Sequence, residues 1–500
     1  MSSKFIYQLA IFTLKIFTKN LDKQKKNHQN NFDIFFIQML QNEISMSEVE
    51  SFKDKCGVFG IINHDEASYK TMLGLHALQH RGQESCGIAS FDDGKAFVKK
   101  HEGLVSRSFK PDEILALKGK IAVGHVRYST SGEKTQENPE NCIQPFFGKT
   151  AFGNIALAHN GNLVHHDKLR KQLLEENALF ISEVDSEVIL QLIIHSKKPT
   201  IEEKILEAIL QIKGAFSLVI ATDSFICAIR DSNAIRPLSI GKLDGAKIIS
   251  SETCAISAIG GSVIRDISAG EILFLYQNGE EKQFFLNDIK EKFCIFEFVY
   301  FARPDSNIGG KSVYGIRKEI GKVLFSESTQ IEADVVVAVP DSGIPSAMGY
   351  AQASGIPFEF GIIRNHYVGR TFIDPSQKVR HNKVQMKHAP NIDIIKEKKI
   401  ILIDDSIVRG TTSKQIVQML FEAGASEIHM KIASPPTKFP CFYGIDTPRK
   451  EDLIANNMNL KETAKFLGVN SLQYISLDGL KQACIGENFC DACFTGNYFV

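Results

Sequence analysis

The second half of the chain alternates short apolar runs with amphipathic segments, and no other feature restricts the fold as much. Apolar runs typical of buried strands occupy 334–339, 357–364, 399–404 and 427–434, and helical patterns occupy 346–354 and 412–423. Consecutive parallel strands joined by a helix form right-handed crossovers, and several in a row build one sheet. We therefore predict an α/β domain with a parallel sheet here.

The segment that begins at Cys56 has a different order of predicted strands and helices. Strands are predicted at 56–62, 120–126, 155–159, 216–222 and 247–250, and helices at 70–79, 185–195 and 201–212. Such a strand-rich order predicts a layered α+β unit. Because 500 residues exceed what one hydrophobic core usually organises, we predict two domains, at 56–285 and 286–500.

The charge balance and the cysteine content exclude several classes of protein. Lys and Arg together number 58, as do Asp and Glu, so the net charge gives no sign of a nucleic-acid partner. No apolar stretch is long enough to predict a membrane span. The ten cysteines are too sparse for a disulfide scaffold in a chain of this size. We expect some of them to serve thiolate chemistry or a metal centre.

The first 55 residues do not resemble the rest. An apolar run from Phe5 to Phe17 follows Lys4, but Lys15 interrupts it and no small-x-small cleavage site follows, which argues against a secretory signal. The Lys- and Asn-rich stretch 19–31 has the composition of a disordered segment. Met46 offers a second start. We predict that residues 1–55 are a leader that is removed or not translated.

The sharpest motif is a buried strand that ends in two carboxylates and turns through glycine into a helix, at 401–413. The backbone N–H groups from Arg409 to Thr412, with Gly410 between them and the hydroxyls of Thr411 and Thr412, can cradle a phosphate. Asp404 and Asp405 can hold ribose hydroxyls or a Mg²⁺ ion. The alternative is an ordinary capped helix after an Asp pair.

A second strand-to-helix turn at 339–346 contains a glycine and free amides that suit a pyrophosphate, and Ser342 can bind the same Mg²⁺. Alone it can equally be an ordinary turn. Together the two loops place a pyrophosphate and a 5-phosphate at opposite ends of one ribose, and the motif at 404–412 resembles the phosphoribosyl diphosphate signature of type I phosphoribosyltransferases. The basic segment 364–380 between them is either a lid over the diphosphate or a surface loop.

Cys56 stands at the start of a glycine-containing apolar run, where a cysteine is usually a small buried hydrophobe. If the chain is cleaved before Cys56, its own α-amine becomes a general base for the thiol. An α-amine with a pKa near 8 is about one tenth neutral at pH 7, whereas a lysine is neutral in well under one part in a thousand. Cleavage would therefore make Cys56 a nucleophile.

Three downstream motifs supply what the hydrolysis of glutamine needs. Arg127 can bind the α-carboxylate, Asn160 and the Gly161 N–H can stabilise the tetrahedral oxyanion, and Asp185 can receive the α-amino group. Each has an ordinary alternative, since Arg127 can be a surface cation and the Asn160-Gly161 pair a tight turn. Their common position downstream of Cys56 favours the functional interpretation.

The chain from Cys56 onward resembles the glutamine phosphoribosylpyrophosphate amidotransferases, and the motifs at 251–254, 303–306 and 440–446 extend the likeness. The resemblance implies an N-terminal-nucleophile αββα glutaminase domain followed by a type I phosphoribosyltransferase domain. It also implies the transfer of ammonia from glutamine to phosphoribosyl diphosphate, in the first committed step of purine synthesis. Ala234 departs from the pattern, where a glycine is expected.

Four further cysteines remain open to several uses by their spacing alone, which allows zinc, an iron–sulfur cluster or nothing. Cys490 and Cys493 form a C-x₂-C pair, and Cys294 and Cys441 stand alone. One branch of the resembled family carries a structural [4Fe–4S] cluster, and the resemblance assigns these four cysteines as its ligands. Cys484 is the nearest competitor for a ligand position.

The resemblance further implies a cytoplasmic enzyme that forms a homotetramer or homodimer and is inhibited by purine nucleotides. Two rival interpretations remain. Other glutamine amidotransferases, such as glucosamine-phosphate synthase or asparagine synthetase, share only the first domain and lack a counterpart of the Asp404-Asp405 loop. A regulator that only senses phosphoribosyl diphosphate would not hydrolyse glutamine, and the set of Cys56, Arg127 and Asp185 argues against it.

Overall fold

The computed structural model describes residues 56–128, 139–365, 387–445, 447 and 449–499. The predicted leader, 1–55, lies outside these residues, and so does the predicted lid apart from residues 364 and 365. None of the helices in the described ranges is long and apolar enough to cross a membrane.

The part up to residue 285 consists of two antiparallel sheets. Their strands in chain order are β1 Gly57–Ile62, β2 Ser85–Asp92, β3 Lys95–Glu102, β4 Ile121–Arg127, β5 Phe146–Thr150, β6 Gly153–Leu163, β7 Gly214–Thr222, β8 Phe225–Arg230, β9 Ser239–Leu243, β10 Ala246–Ser250, β11 Ser262–Asp266, β12 Glu271–Tyr276 and β13 Glu281–Phe285. The first sheet has the order β11-β9-β10-β1-β4-β2-β3, and the second has the order β13-β12-β8-β7-β6-β5.

Helices cover the outer face of each sheet. The α-helices of this part are Ala67–Ala77, Val105–Ser108, Pro111–Ala116, His166–Glu175, Asp185–His195, Ile201–Gln211 and Thr253–Ala258, with a 3₁₀ turn at Pro139–Cys142. One apolar core joins the first of these helices to the first sheet, a second joins Asp185–His195 and Ile201–Gln211 to the second sheet, and a third lies between the sheets. The predicted αββα layering is confirmed.

The second part contains the predicted parallel sheet. It has the order β17-β20-β21-β22, with strands Val335–Ala338, Lys399–Asp404, Glu427–Ile432 and Ser471–Tyr474. The shorter strands are β14 Phe293–Cys294, β15 Asn307–Ile308, β16 Lys311–Ser312, β18 Ile362–Arg364, β19 His388–Pro390 and β23 Phe489–Cys490. Apolar residues are buried on both faces of the four-stranded sheet, as expected for parallel strands.

The helices of the second part include the two predicted crossovers. They are Val313–Ser326, Ile344–Ser354, Ile392–Ile395, Thr411–Glu422, Ile454–Asn457, Leu460–Leu467, Leu477–Ala483 and Ala492–Thr495, with a π-helical turn at Glu297–Phe301 and a 3₁₀ turn at Lys450–Asp452. Val313–Ser326 and Ile344–Ser354 pack so closely that a Cβ on Gly321 would lie 1.9 Å from the Ser346 carbonyl oxygen.

The strand predicted at 357–364 is wrong for most of its length. Its first residues pair in parallel with β17 of the main sheet, through an isolated bridge between Phe358 and Val336. Ile362–Arg364 is a strand that pairs with His388–Pro390 outside the main sheet. Phe360 is 55% exposed, and Gly361 is needed because a Cβ there would lie 2.7 Å from Ile395. The fourth strand is instead β22, which the sequence analysis missed because it is short and only partly buried.

Candidate functional site

Cys56 and Arg127 lie at the same end of the first sheet. Cys56 directly precedes β1, and Gly57 is paired with Val126, the residue before Arg127. The Cys56 sulfur is half-buried and lies 3.9 Å from the Tyr128 carbonyl oxygen. The Nε of Arg81 donates a hydrogen bond to the Cys56 carbonyl at 3.2 Å. The predicted nucleophile is therefore contacted at its sulfur by the Tyr128 carbonyl and at its own carbonyl by Arg81.

Asn160 and Gly161 lie on β6 of the second sheet. Asn160 is fully buried, and in the described part of the chain neither its side-chain nitrogen nor its oxygen has a hydrogen-bond partner. Gly161 has a φ of 151°, and a Cβ there would lie 1.9 Å from the Ala215 carbonyl oxygen. Burying an unsatisfied amide is costly, so an Asn160 side chain kept in this state suits an oxyanion that arrives with the substrate.

A buried histidine connects these two groups across the sheets. The Nε2 of His125, on β4, donates to the His159 carbonyl on β6 at 3.0 Å. Burial lowers the pKa of His125 to about 3, so the ring is neutral at physiological pH. His125 is two residues from Arg127, and His159 adjoins Asn160. This bond therefore joins the strand that carries Arg127 to the strand that carries Asn160.

Asp185 is the first residue of the helix Asp185–His195, whose bounds match the prediction. Its Oδ2 accepts a hydrogen bond from the Leu163 N–H at 2.7 Å, and its Oδ1 accepts one from the Ser186 hydroxyl at 3.1 Å. Leu163 ends the strand that carries Asn160. The structure thus brings together Cys56 with Arg127 and Asn160 with Asp185, and we call these residues with Gly161 the glutamine site.

Asp404 and Asp405 are buried at the end of β20, which has the predicted bounds Lys399–Asp404. Burial, and then the charge of Asp405, raise the pKa of Asp404 well above its usual value. The Ser342 hydroxyl donates to Asp405 Oδ1 at 2.6 Å, so the two predicted loops meet. Adjacent buried carboxylates with a hydroxyl beside them fit the oxygen-ligand preference of Mg²⁺.

Gly410 and the helix that follows it form the predicted phosphate cradle. Gly410 is left-handed, with a φ of 77°, and the helix begins at Thr411, with Thr412 in its first turn. The first N–H groups of a helix have no acceptor within the helix itself, which is why helix N-termini commonly bind phosphate. The Arg409 guanidinium lies 3.2 Å from Asp452, which holds its side chain beside the cradle. We call Ser342, Asp404, Asp405 and residues 409–412 the phosphoribosyl site.

Buried charges behind Cys56 were missed by the sequence analysis. Arg81, Glu252, Glu297 and Arg236 are all at most 1% exposed. Arg81 contacts Glu252 at 2.5 Å and Glu297 at 2.9 Å. The Arg236 Nη1 lies 3.5 Å from Glu297, and its Nε donates to the Tyr443 carbonyl at 2.9 Å. Burial disfavours the charge of Arg81, but Glu297 and Glu252 outweigh it and raise its pKa.

Three of the four cysteines assigned to a cluster, Cys294, Cys490 and Cys493, are buried in one apolar core, and the partly buried Cys441 packs against that core. Cys294 and Cys490 are register partners in the parallel pair β14–β23. Burial, and then the charge of Cys294, raise the pKa of Cys490, and both Cys294 and Cys441 raise that of Cys493 in the same way. No three His, Cys, Asp or Glu side chains among the described residues are grouped to hold a metal ion. The cluster therefore stays a prediction.

One apolar cavity in the described ranges lies away from both sites. It has a volume of about 780 Å³ and lies between the helix Ala67–Ala77 and residues 105–119. It contains none of the predicted site residues, so its size carries no argument for the chemistry.

Both halves of the chain match known families. Residues 130–258 match a glutamine amidotransferase domain, and residues 310–433 match a phosphoribosyl transferase domain. An amidophosphoribosyltransferase of Rhizobium etli is 47% identical over 463 residues, which are 90% of this chain and 92% of the relative. An amidophosphoribosyltransferase of Bacillus subtilis is 44% identical, over 91% of this chain and 96% of the relative.

Two solved structures share the whole architecture. One is the glutamine phosphoribosylpyrophosphate amidotransferase of B. subtilis in complex with ADP and GMP, with a TM-score of 0.83 and 44% identity over 89% of this chain and 97% of that one. The other is described as the allosteric regulatory enzyme of purine biosynthesis, with a TM-score of 0.84 and 45% identity over 89% of this chain and 96% of that one. The chain belongs to the amidophosphoribosyltransferase family.

Proposed function

We propose that this chain hydrolyses glutamine and transfers the ammonia to phosphoribosyl diphosphate, which yields 5-phosphoribosylamine, glutamate and pyrophosphate. This is the first committed step of de novo purine synthesis. The observation that carries the proposal is the presence, in one chain, of the Cys56 group on an αββα fold and of the Asp404-Asp405 loop on a parallel sheet. Glutamate release measured with and without phosphoribosyl diphosphate tests it. A regulator would release no glutamate, and another amidotransferase would not respond to phosphoribosyl diphosphate.

In the glutamine half-reaction, the Cys56 thiolate attacks the side-chain amide carbon of glutamine. The α-amine of a mature Cys56 takes the thiol proton and passes it to the leaving ammonia. Asn160 Nδ2 and the Gly161 N–H stabilise the oxyanion, while Arg127 and Asp185 hold the α-carboxylate and the α-amino group. Water then releases glutamate from the thioester.

In the second half-reaction, ammonia attacks C1 of the ribose as pyrophosphate leaves. The N–H groups of residues 409–412 and the hydroxyls of Thr411 and Thr412 bind the 5-phosphate, and the 339–346 turn binds the pyrophosphate. Asp404 and Asp405 position the ribose hydroxyls, and together with Ser342 they would hold Mg²⁺, which neutralises charge on the leaving group when bound. The predicted lid would exclude water, since ammonium has no lone pair for the attack.

Maturation at Cys56 is part of this proposal, because the general base is the α-amine. We propose that residues 1–55 are absent from the active enzyme and that the glutaminase domain spans 56–285 and the phosphoribosyltransferase domain 286–500. Intact-mass measurement of the active protein tests the first point. A fully active enzyme that still carries residues 46–55 would contradict it.

We further propose a [4Fe–4S] cluster on Cys294, Cys441, Cys490 and Cys493, without a catalytic role. The support is that three of these cysteines lie in one apolar core with Cys441 packed against it, and that Cys294 and Cys490 are register partners. Anaerobically purified protein should contain about four irons per chain, as one cubane requires. Cys441→Ser should lose the iron, whereas Cys484→Ser is the matched control that should keep it. Stoichiometric zinc without iron would contradict the proposal.

Feedback inhibition by purine nucleotides is the last part of the proposed function. The related B. subtilis enzyme is described in complex with ADP and GMP, and the other solved relative is described as allosteric. We propose that purine nucleotides inhibit this enzyme and that it is a cytoplasmic homotetramer or homodimer. Light scattering gives the assembly size, and a GMP titration of the synthesis rate gives the inhibition.

A further inference from the structure

His159 is a buried histidine beside the glutamine site, and the proposed chemistry assigns it no role. It directly precedes Asn160 and Gly161 on β6 and is 2% exposed. A buried histidine is most often a core residue that satisfies its own hydrogen bonds. The bonds of His159 lead instead towards the carboxylate proposed to bind the substrate amine.

Three side chains and one backbone group form a closed hydrogen-bonded ring. The His159 backbone N–H donates to Gln144 Oε1 at 2.7 Å, and Gln144 Nε2 donates to the Ser186 hydroxyl at 3.2 Å. The Ser186 oxygen lies 2.8 Å from His159 Nδ1 and donates to Asp185 Oδ1 at 3.1 Å. His159 Nδ1 itself lies 3.8 Å from Asp185 Oδ1, too far for a direct hydrogen bond.

The proton positions in this ring follow from the number of donors. A serine hydroxyl has one proton, and Gln144 fills one of its acceptor positions. If the Ser186 hydroxyl donates its hydrogen bond to the Asp185 carboxylate, it can only accept one from His159. His159 must then carry its proton on Nδ1. Burial lowers the pKa of His159, which favours the neutral ring with a single proton.

We propose that His159 is a positioning residue that acts through Ser186 to orient the Asp185 carboxylate towards the α-amino group of glutamine. Without the bond from His159, the Ser186 hydroxyl could rotate away from Asp185. Of the two donors described for Asp185, the Leu163 N–H alone would then stay fixed. Because His159 adjoins Asn160, the same residue keeps the amine-binding and oxyanion-binding groups in register. This inference rests on the proposed role of Asp185.

The test combines protein variants with a substrate that lacks the group concerned. His159→Leu removes the donor, His159→Asn places an amide near the position of Nδ1, and Ser186→Ala removes the relay. Ser90→Ala is the matched control, because Ser90 is a buried serine of the same domain whose hydroxyl has no partner among the described residues. Ammonia release is measured with glutamine and with 4-carbamoylbutanoate, which is glutamine without its α-amino group.

For glutamine, His159→Leu and Ser186→Ala should each raise KM about tenfold and change kcat by less than about threefold, the size of one hydrogen bond to a charged group. The double variant should be no worse than either single one, because both changes break the same relay. His159→Asn should restore most of the affinity. For 4-carbamoylbutanoate the same variants should match the parent within about twofold, since the group that Asp185 binds is missing.

An equal loss for both substrates in His159→Leu and Ser186→Ala would overturn the inference, because it would mean a general loosening of the site. An unchanged KM for glutamine in Ser186→Ala would also overturn it, even if His159→Leu proved unable to fold. Asp185→Asn separates this failure from failure of the proposed function. If Asp185→Asn impairs both substrates equally, Asp185 does not bind the amine, and the error lies in the proposed role of Asp185.

Discussion

The glutamine site and the phosphoribosyl site differ in how far apart along the chain their residues lie. The residues of the glutamine site come from several elements: Cys56 and Arg127 from two strand ends of the first sheet, Asn160 from the interior of β6 in the second sheet, and Asp185 from a helix. Most of the phosphoribosyl site comes from one strand-to-helix turn, and only Ser342 is added from the neighbouring strand end. The first site depends on the packing of whole layers, whereas the second depends mainly on one turn.

This difference affects how each site is supported. A turn at the end of a buried parallel strand is fixed by its own glycine and by the helix that follows, as at Gly410. The glutamine site instead needs contacts between layers, such as the bond from His125 to His159 and the buried charges around Arg81. We therefore expect changes far from the chemistry to damage the glutamine site more than the phosphoribosyl site.

The largest effect should come from Cys56→Ala, which tests whether the two sites are separable at all. Loss of the nucleophile should reduce glutamine-dependent synthesis by about 10⁴-fold or more. Synthesis from free ammonia at high pH, where ammonia keeps its lone pair, should continue. Steady-state assays with each nitrogen source measure both. If ammonia-dependent synthesis vanished in a folded protein, the scheme of two sites joined by carried ammonia would be wrong.

Glu297→Gln should have the next largest effect, because it tests the support behind the glutamine site. The variant leaves Arg81 and Arg236 buried with one carboxylate fewer, at a cost of about 3–5 kcal/mol in the free energy of unfolding. The matched control is Glu281→Gln, which breaks the pair with Lys247, where both side chains are at least 36% exposed. An exposed pair is worth about 1 kcal/mol or less. Equal losses in urea unfolding would contradict this account.

The same difference explains what the sequence could predict. The bounds of the strand Lys399–Asp404 and the helix Asp185–His195 follow from local apolar patterns. The predicted ligands of the Asp404-Asp405 turn are also close together in the sequence. The charges around Arg81 could not be predicted, since Arg81 and Glu297 are 216 residues apart. His159 directly precedes Asn160 in the sequence, but its role depends on Gln144 and Ser186, whose positions follow only from the packed sheets.

Asp405→Asn and Asn160→Ala form a matched pair of moderate effects. Asp405→Asn removes a charge beside the ribose, so synthesis from glutamine and from ammonia should both fall by about 10²-fold or more. Asn160→Ala removes an oxyanion donor, so only the glutamine-dependent rate should fall, by a similar factor. The kcat/KM values with each nitrogen source decide. A loss confined to glutamine in Asp405→Asn would mean that Asp405 does not belong to the phosphoribosyl site.

The smallest effect concerns Ala234, where the resemblance predicts glycine. Its φ is 51°, a left-handed conformation that costs an alanine about 1–2 kcal/mol. Its methyl group is fully buried, which is worth about 0.8 kcal/mol, and a glycine costs about a further 0.5–1 kcal/mol in chain entropy. These terms nearly cancel, so Ala234→Gly should change the free energy of unfolding by less than about 0.5 kcal/mol.

Ala246→Gly is the control for this prediction, since Ala246 is as buried as Ala234 but lies in the regular strand β10. It loses the same methyl group and gains the same chain entropy without relieving any strain, so it should be destabilised by about 1.5 kcal/mol. The difference between the two variants therefore measures the strain at Ala234, which closes the turn from Asp231. Equal losses in the two variants would mean that Ala234 is unstrained. The glycine expected at position 234 would then have no conformational reason.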